Sequence, residues 1–288
     1  MHSPQVTVVQ MGARHSYAIP RMLQRARMLD ALYTDSCVHG GLGSAVGLVP
    51  TALRNAGMRR LVQRRAKGVP GTKIHVTDAP LWAGLTAQLK GVDAFERQLA
   101  QGQALADACR QWGYRETDVI YSMFGEATEF LREARDAGVR IIMDVFISPV
   151  AHRIVDEEAR RHPEWADSGD LMSLDDRRRQ EARVEEVFGV TDAFTCPSQH
   201  VVEGCRTYDA FDDERAHIVP YSAGIALDGE QQPERGRILF AGRACLRKGI
   251  HYLVDAAKRL DARRVPTQFV AAGSVSDAVR SHPDAQVL

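Results

Sequence analysis

An excess of charge of either sign is missing from this chain: lysine plus arginine and aspartate plus glutamate number 37 each among 288 residues. Without a basic surplus there is no broad positive field to neutralise phosphates, which puts nucleic acid outside the expected partners. Long apolar runs are missing too, and none approaches the roughly 20 residues that span a bilayer. The opening Met1-His2-Ser3-Pro4-Gln5 carries neither the basic nor the apolar region of an export signal, so a cytoplasmic protein is expected. The five cysteines, Cys37, Cys109, Cys196, Cys205 and Cys245, are scattered and form no pair with a two-residue gap. That spacing excludes the common zinc and dithiol motifs and points to reduced, mostly buried thiols. No metal-ligand cluster stands out along the chain, so neither a metal nor a cofactor is expected. No Gly-x-Gly-x-x-Gly follows any β-rich run, which argues against an NAD-dependent dehydrogenase.

What is present is an ordinary globular balance, 44% hydrophobic and 26% charged, in a chain longer than one typical domain of about 100 to 200 residues. Short β-rich runs at 6–11, 73–76, 118–122, 140–146 and 192–196 alternate with stretches of helical period. This is the pattern of a parallel sheet covered by helices on both faces, an α/β protein. The first run ends at Gly12 and leads, through Arg14, His15 and Ser16, to a helix expected across Ile19, Met22, Leu23, Ala26 and Leu29. Ala127, Leu131, Ala134 and Ala137 share one helical face before Gly138. Residues 151–188 are charged and free of strand signals, and Pro163 and Gly169 divide them into two expected helices covering the sheet or its rim. Ser198 is placed to cap the next helix. Residues 228–236 are polar, with Gly229, Pro233 and Gly236, and read as a linker.

The expected organisation is therefore an N-terminal domain at 1–227, a linker at 228–236 and a second α/β domain begun at 237–288. The second contains a strand at Ile238-Leu239-Phe240-Ala241, a helix with Ile250, Leu253, Ala257 and Leu260 on one face, and a strand at 267–272. Gln286-Val287-Leu288 is expected to open a further strand, so this domain reads as incomplete.

The richest chemistry lies between Gly242 and Gly249. Ligands of open α/β sheets bind beyond the carboxyl ends of strands, which is where Arg243, Arg247 and Lys248 fall. Arg243 can fork two oxygens and Lys248 can act as a point charge, a pair suited to a diphosphate; a solvated basic loop is the alternative. His152 follows the 140–146 run at its carboxyl side, either as a cleft residue or as a histidine that opens a helix. Arg59, Arg60, Arg64, Arg65 and Lys67 surround Leu61 and Val62 and read as a solvated helix face, with peripheral membrane contact as the other option and no integral membrane segment.

The order strand, Gly242-Arg243, loop, Lys248-Gly249, helix resembles the start of the C-terminal domain in family-4 glycosyltransferases of the GT-B architecture. Asp192-Ala193-Phe194-Thr195-Cys196-Pro197-Ser198 resembles the segment closing that family's N-terminal domain, and His217-Ile218-Val219-Pro220-Tyr221 the strand before its linker. The resemblance implies a complete acceptor-side Rossmann-like domain followed by part of a donor-side one. It further implies retaining transfer from a nucleotide-sugar to a sugar-containing or small-molecule acceptor, with Gly242, Arg243 and Lys248 on the donor diphosphate and His152 as the catalytic histidine at the sugar. A Glu, seven residues, Glu motif of the family would lie beyond residue 288, so the chain is expected to be a truncated form. Two features depart from the pattern: Gly224 comes late in Val219-Pro220-Tyr221-Ser222-Ala223-Gly224-Ile225, and the first loop offers Gly12 alone in Met11-Gly12-Ala13-Arg14-His15. Gly12 and His15 are the expected acceptor-side loop residues. The rivals are a silent binding module or fragment, and a sugar-nucleotide epimerase or hydrolase, which would need a carboxylate pair that the sequence does not name.

Overall fold

The structure, a computed structural model, describes residues 3–114, 116–221 and 233–287. The Ser222-Ala223-Gly224-Ile225 departure and residues 228–232 of the expected linker lie outside the described residues, as does Leu288.

In chain order the elements are β1 (Val6–Gln10), α1 (Ala18–Arg25), β2 (Leu29–Asp35), α2 (Gly41–Gly47), α3 (Ala56–Gln63), β3 (Ile74–Thr77), α4 (Ala79–Leu89), α5 (Ala94–Trp112), β4 (Val119–Met123) and α6 (Thr128–Asp136). Then follow β5 (Arg140–Asp144), α7 (Ala151–Arg161), α8 (Leu174–Gly189), β6 (Ala193–Cys196), α9 (Gln199–Cys205), β7 (Ala216–Ile218), β8 (Arg237–Ala241), α10 (Ile250–Ala262), β9 (Gln268–Ala272) and α11 (Asp277–Ser281). By internal contacts the chain divides into two units, Met1–Pro149 with Arg179–Pro220, and Val150–Arg178 with Tyr221–Leu288.

The first unit is built on seven parallel strands in the order β3-β2-β1-β4-β5-β6-β7. The chain winds outward from β1 to β3, returns beside β1 as β4, and winds outward again, which is the Rossmann-like, doubly wound α/β order. Every residue of β1 is buried, as a central parallel strand covered on both faces requires. Val8, Leu32, Ile120, Ile141 and Phe130 have no exposed surface and form the layer between sheet and helices. All five cysteines are free and buried, as their scatter suggested. No helix among the described residues is long and apolar enough to cross a membrane.

One strand is new relative to the sequence pattern. Leu29, expected on the first helix, opens β2 instead, because α1 stops at Ala26 in a left-handed cap. Arg27 takes φ 59°, its N–H bonds Gln24 O at 3.1 Å, and the Met28 N–H bonds Leu23 O at 2.9 Å. This pair of bonds normally closes on glycine, and here arginine occupies the position.

The charged 151–188 segment does form two helices, α7 and α8, separated by a 3-10 turn at Pro163–Trp165. Its expected place over the first sheet holds only for the later part: Val184, Val187 and Phe188 of α8 are buried, whereas α7 groups with the second unit. Ser198 occupies the cap position of α9, but its side chain makes no capping bond.

In the second unit β8 and β9 pair in parallel, joined by α10. Ala159, Trp165, Ala244, Leu246, Ile250, Val254 and Val279 form its buried cluster. The strand expected at 286–288 is corrected: Pro283–Val287 is a 3-10 helix. Proline fits the first position of such a turn, where no N–H is needed, and the following Asp284 N–H is held by His282 Nδ1 at 3.2 Å.

Candidate functional site

In the first unit the winding direction reverses between β1 and β4, so the loops after these two strands part and leave a crevice at their carboxyl ends. Gly12 leaves β1 with φ 71°, and its N–H is bound by Asp35 Oδ1 at 2.6 Å, from the last residue of β2. The Met11 N–H is bound by Glu126 Oε2 at 2.6 Å, and Arg14 Nε by Glu126 Oε1 at 3.2 Å. Two carboxylates thus pin the first loop. Glu126 is 3% exposed, and burial, outweighing the Arg14 contact, pushes its carboxyl up to about 7.

His15, Ser16 and Tyr17 then take φ of 48°, 52° and 57°, three consecutive side-chain-bearing residues in the left-handed region. Each costs roughly 1–2 kcal/mol relative to the right-handed form. Tyr17, 1% exposed, anchors the turn among Val8, Leu29 and Leu32. Backbone strain held in place by a buried anchor is a recurrent mark of functional loops. The turn brings His15 Nε2 to 3.8 Å from Asp144 Oδ2, at the end of β5. Asp144 is 2% exposed, and the His15 side chain is 27% exposed. A partly open imidazole backed by a buried carboxylate can take a proton and have its charge stabilised.

The first unit also holds a cavity of about 170 Å³ lined by Arg14, Phe95, Leu99, Phe124, Phe146 and Arg183 among others. Arg14 stacks over the Phe146 ring at 3.9 Å. Around Gly12, a groove of about 560 Å³ is lined by Asp35, Arg60, Arg64, Leu81 and Gln101. Arg64, read from sequence as part of a solvated basic face, bonds Asp35 Oδ2 at 2.9 Å.

In the second unit Gly242 follows β8 directly with φ 131°, and its N–H bonds Ala272 O at 2.9 Å. A β-carbon on neighbouring Gly273 would fall 1.9 Å from Gly242 O, so glycine is required there. Arg243, Arg247 and Lys248 are exposed around a turn whose Leu246 is buried, and Gly249, φ 72°, opens α10. Arg243 Nη2 lies 3.4 Å from Asp167 Oδ2.

No protein-family model matches the chain, and no curated protein matches it. Among solved structures it is similar to Arabidopsis thaliana UGT89C1 complexed with UDP-L-rhamnose, with TM-score 0.47 and 13% identity over 96% of this chain and 69% of that one. It is also similar to Phytolacca americana UGT2 complexed with UDP-2fluoro-glucose and pterostilbene, with TM-score 0.46 and 11% identity over 99% and 74%. A third is a UDP-glucosyltransferase from Polygonum tinctorium capable of glucosylating indoxyl, with TM-score 0.43 and 13% identity over 99% and 75%. With every TM-score below 0.5, what those proteins bind stays with them.

The residues named from sequence therefore fall into two groups. Gly12 and His15 come together with Asp35, Glu126 and Asp144 in the first unit. Gly242, Arg243 and Lys248 share one loop in the second. His152, half-buried near the start of α7, belongs to the second unit by contacts. Sequence reading missed Asp35, Glu126 and Asp144. Their only signal was an acidic residue within a β-rich run for Asp144 and one a few residues past a run for Glu126, and Asp35 ends a strand that was itself not expected.

Proposed function

We propose that the chain is a nucleotide-sugar-dependent glycosyltransferase built from two Rossmann-like units in series, as in the GT-B architecture. The observation that carries this reading is the loop from Gly242 to Gly249, a glycine exit from a parallel strand with three exposed cations ahead of a helix. Arg243 and Lys248 would hold the donor diphosphate and stabilise its charge as it leaves. In the first unit, His15 would take the proton of an acceptor hydroxyl while Asp144 stabilises the imidazolium. The acceptor oxygen then bonds the anomeric carbon as the carbon–oxygen bond to the diphosphate breaks. The cavity where Phe95, Phe124 and Phe146 meet Arg14 and Arg183 favours a small acceptor with a flat ring.

The His15–Asp144 pair favours direct, base-assisted displacement, which inverts the anomeric centre, over the retaining route that the family-4 resemblance implies. His152 remains the candidate contact to the transferred sugar. The test is calorimetric titration of UDP, GDP and ADP into the wild-type chain and into Arg243→Ala and Lys248→Ala. Loss of one charge-assisted contact, about 1.5–3 kcal/mol, corresponds to a roughly 10- to 150-fold weaker affinity for the preferred nucleotide. Equal affinity in all three proteins would remove the donor-site reading.

A further inference from the structure

Glu158 on α7 and His162, the residue that ends it, stand four positions apart, and His251 is the second residue of α10. All three belong to the second unit, and the buried cluster of Ala159, Leu246, Ile250 and Val254 packs these helices together. His251 Nε2 lies 3.0 Å from Glu158 Oε1, and His162 Nε2 lies 3.7 Å from the same oxygen. One possible ligand atom from each residue falls within 4.8 Å of the others.

We infer that Glu158, His162 and His251 form a binding site for a divalent transition-metal ion, Zn²⁺ by the chemistry of the ligands, outside the loops assigned to donor and acceptor. Two imidazoles and one carboxylate are a nitrogen and oxygen set that zinc takes at about 2.0–2.1 Å, which sets tetrahedral ligand–ligand separations near 3.3 Å. The two histidine nitrogens, 3.0 and 3.7 Å from Glu158 Oε1, lie on either side of that separation. Mg²⁺ and Ca²⁺ prefer oxygen-rich shells and are poorly served by two imidazoles.

The surroundings suit such a site. The Tyr252 hydroxyl donates to Glu158 Oε1 and so orients the carboxylate. Glu164 Oε1 lies 3.9 Å from His162 Nδ1, the other ring nitrogen, and adds negative charge near the cluster without a hydrogen bond. The His251 side chain is 4% exposed and that of His162 is 34% exposed, so the cluster is anchored at one side and open at the other for an ion to enter. Arg161 Nη1 lies 3.7 Å from the other oxygen, Glu158 Oε2, so the cation is not on the oxygen that faces Tyr252 and the histidines. Three protein ligands leave one position for water. A bound ion would tie α7 to α10, and so the 150–178 segment to the unit built on β8 and β9. The sequence showed no metal motif because the third ligand comes from a distant helix.

The test uses Zn²⁺ in competition with a chromophoric chelator, and Co²⁺ absorption, on the wild-type chain, Glu158→Gln and His162→Ala. His162 is chosen over buried His251 because its replacement leaves the core intact, and circular dichroism of each variant checks folding. The expected result is one Zn²⁺ per chain and visible Co²⁺ bands without a near-ultraviolet thiolate band. Each variant should weaken binding by at least about 100-fold, the upper end of what loss of a supporting residue alone costs. No stoichiometric binding to wild type, unchanged binding in both folded variants, or a thiolate band would each overturn the inference.

Discussion

Glu126 is the residue whose titration most directly tests the first-unit site. Its carboxyl is almost wholly enclosed and is raised from 4.5 to about 7, with burial as the main cause and Arg14 and the Met11 N–H opposing it. A folded-state value above the unfolded one means that the folded chain binds the proton more tightly. The associated stability is therefore fully present below about pH 4.5 and is lost as the pH rises through about 7. At 1.36 kcal/mol per unit the gap corresponds to about 3 kcal/mol. Glu126→Gln keeps an acceptor for the Met11 N–H and cannot ionise. Its stability relative to wild type should thus improve by about 3 kcal/mol between pH 4.5 and pH 8. Urea unfolding of both proteins across this range measures the difference, and carbon-13 NMR of labelled glutamate reads the titration directly. A stability difference that stays constant with pH, or a Glu126 midpoint below about 5.5, would refute burial as the dominant force.

Three further outcomes are expected. His15→Ala and Asp144→Asn should lower turnover by roughly 10²- to 10⁴-fold at unchanged nucleoside diphosphate affinity, the range for loss of general-base assistance; parallel rate and binding measurements check this, and wild-type turnover in His15→Ala would return the pair to a structural role. Gly273→Ala places a β-carbon against Gly242 O and should cost about 1–3 kcal/mol while abolishing nucleotide binding; an alanine variant that titrates like wild type would show that the loop tolerates the shift. Ile250→Ala empties a fully buried position between α10 and its neighbours and should destabilise the second unit by about 2–5 kcal/mol; amide exchange over 237–287 should quicken while that of β1 and β4 holds, and equal protection would contradict the assigned core.

Local chemistry made much of this architecture readable. The runs that became β3, β4, β5 and β6 are short and β-rich, and Gly138 closes the helix before β5 with φ 91°. The Gly242 to Gly249 turn could be placed on a loop because glycine, cations and helical period follow one another within a few residues. β2 was unreadable for an equally local reason. Leu29 continues the helical spacing of Ile19, Met22 and Ala26, and the stop falls on Arg27, a residue with no compositional mark of a left-handed conformation.

The sequence by itself determined the α/β class, the parallel sheet and the position of the Gly242 to Gly249 loop between β8 and α10, since these depend on periodicity and on neighbours in the chain. Only the tertiary structure decided that Asp35, Glu126 and Asp144 surround the loop carrying Gly12 and His15, that α7 joins the second unit, and that Glu158 and His162 meet His251. Each of these groupings joins the ends of separate strands or the faces of separate helices. Sheet order and packing create that proximity, and no spacing along the chain encodes it.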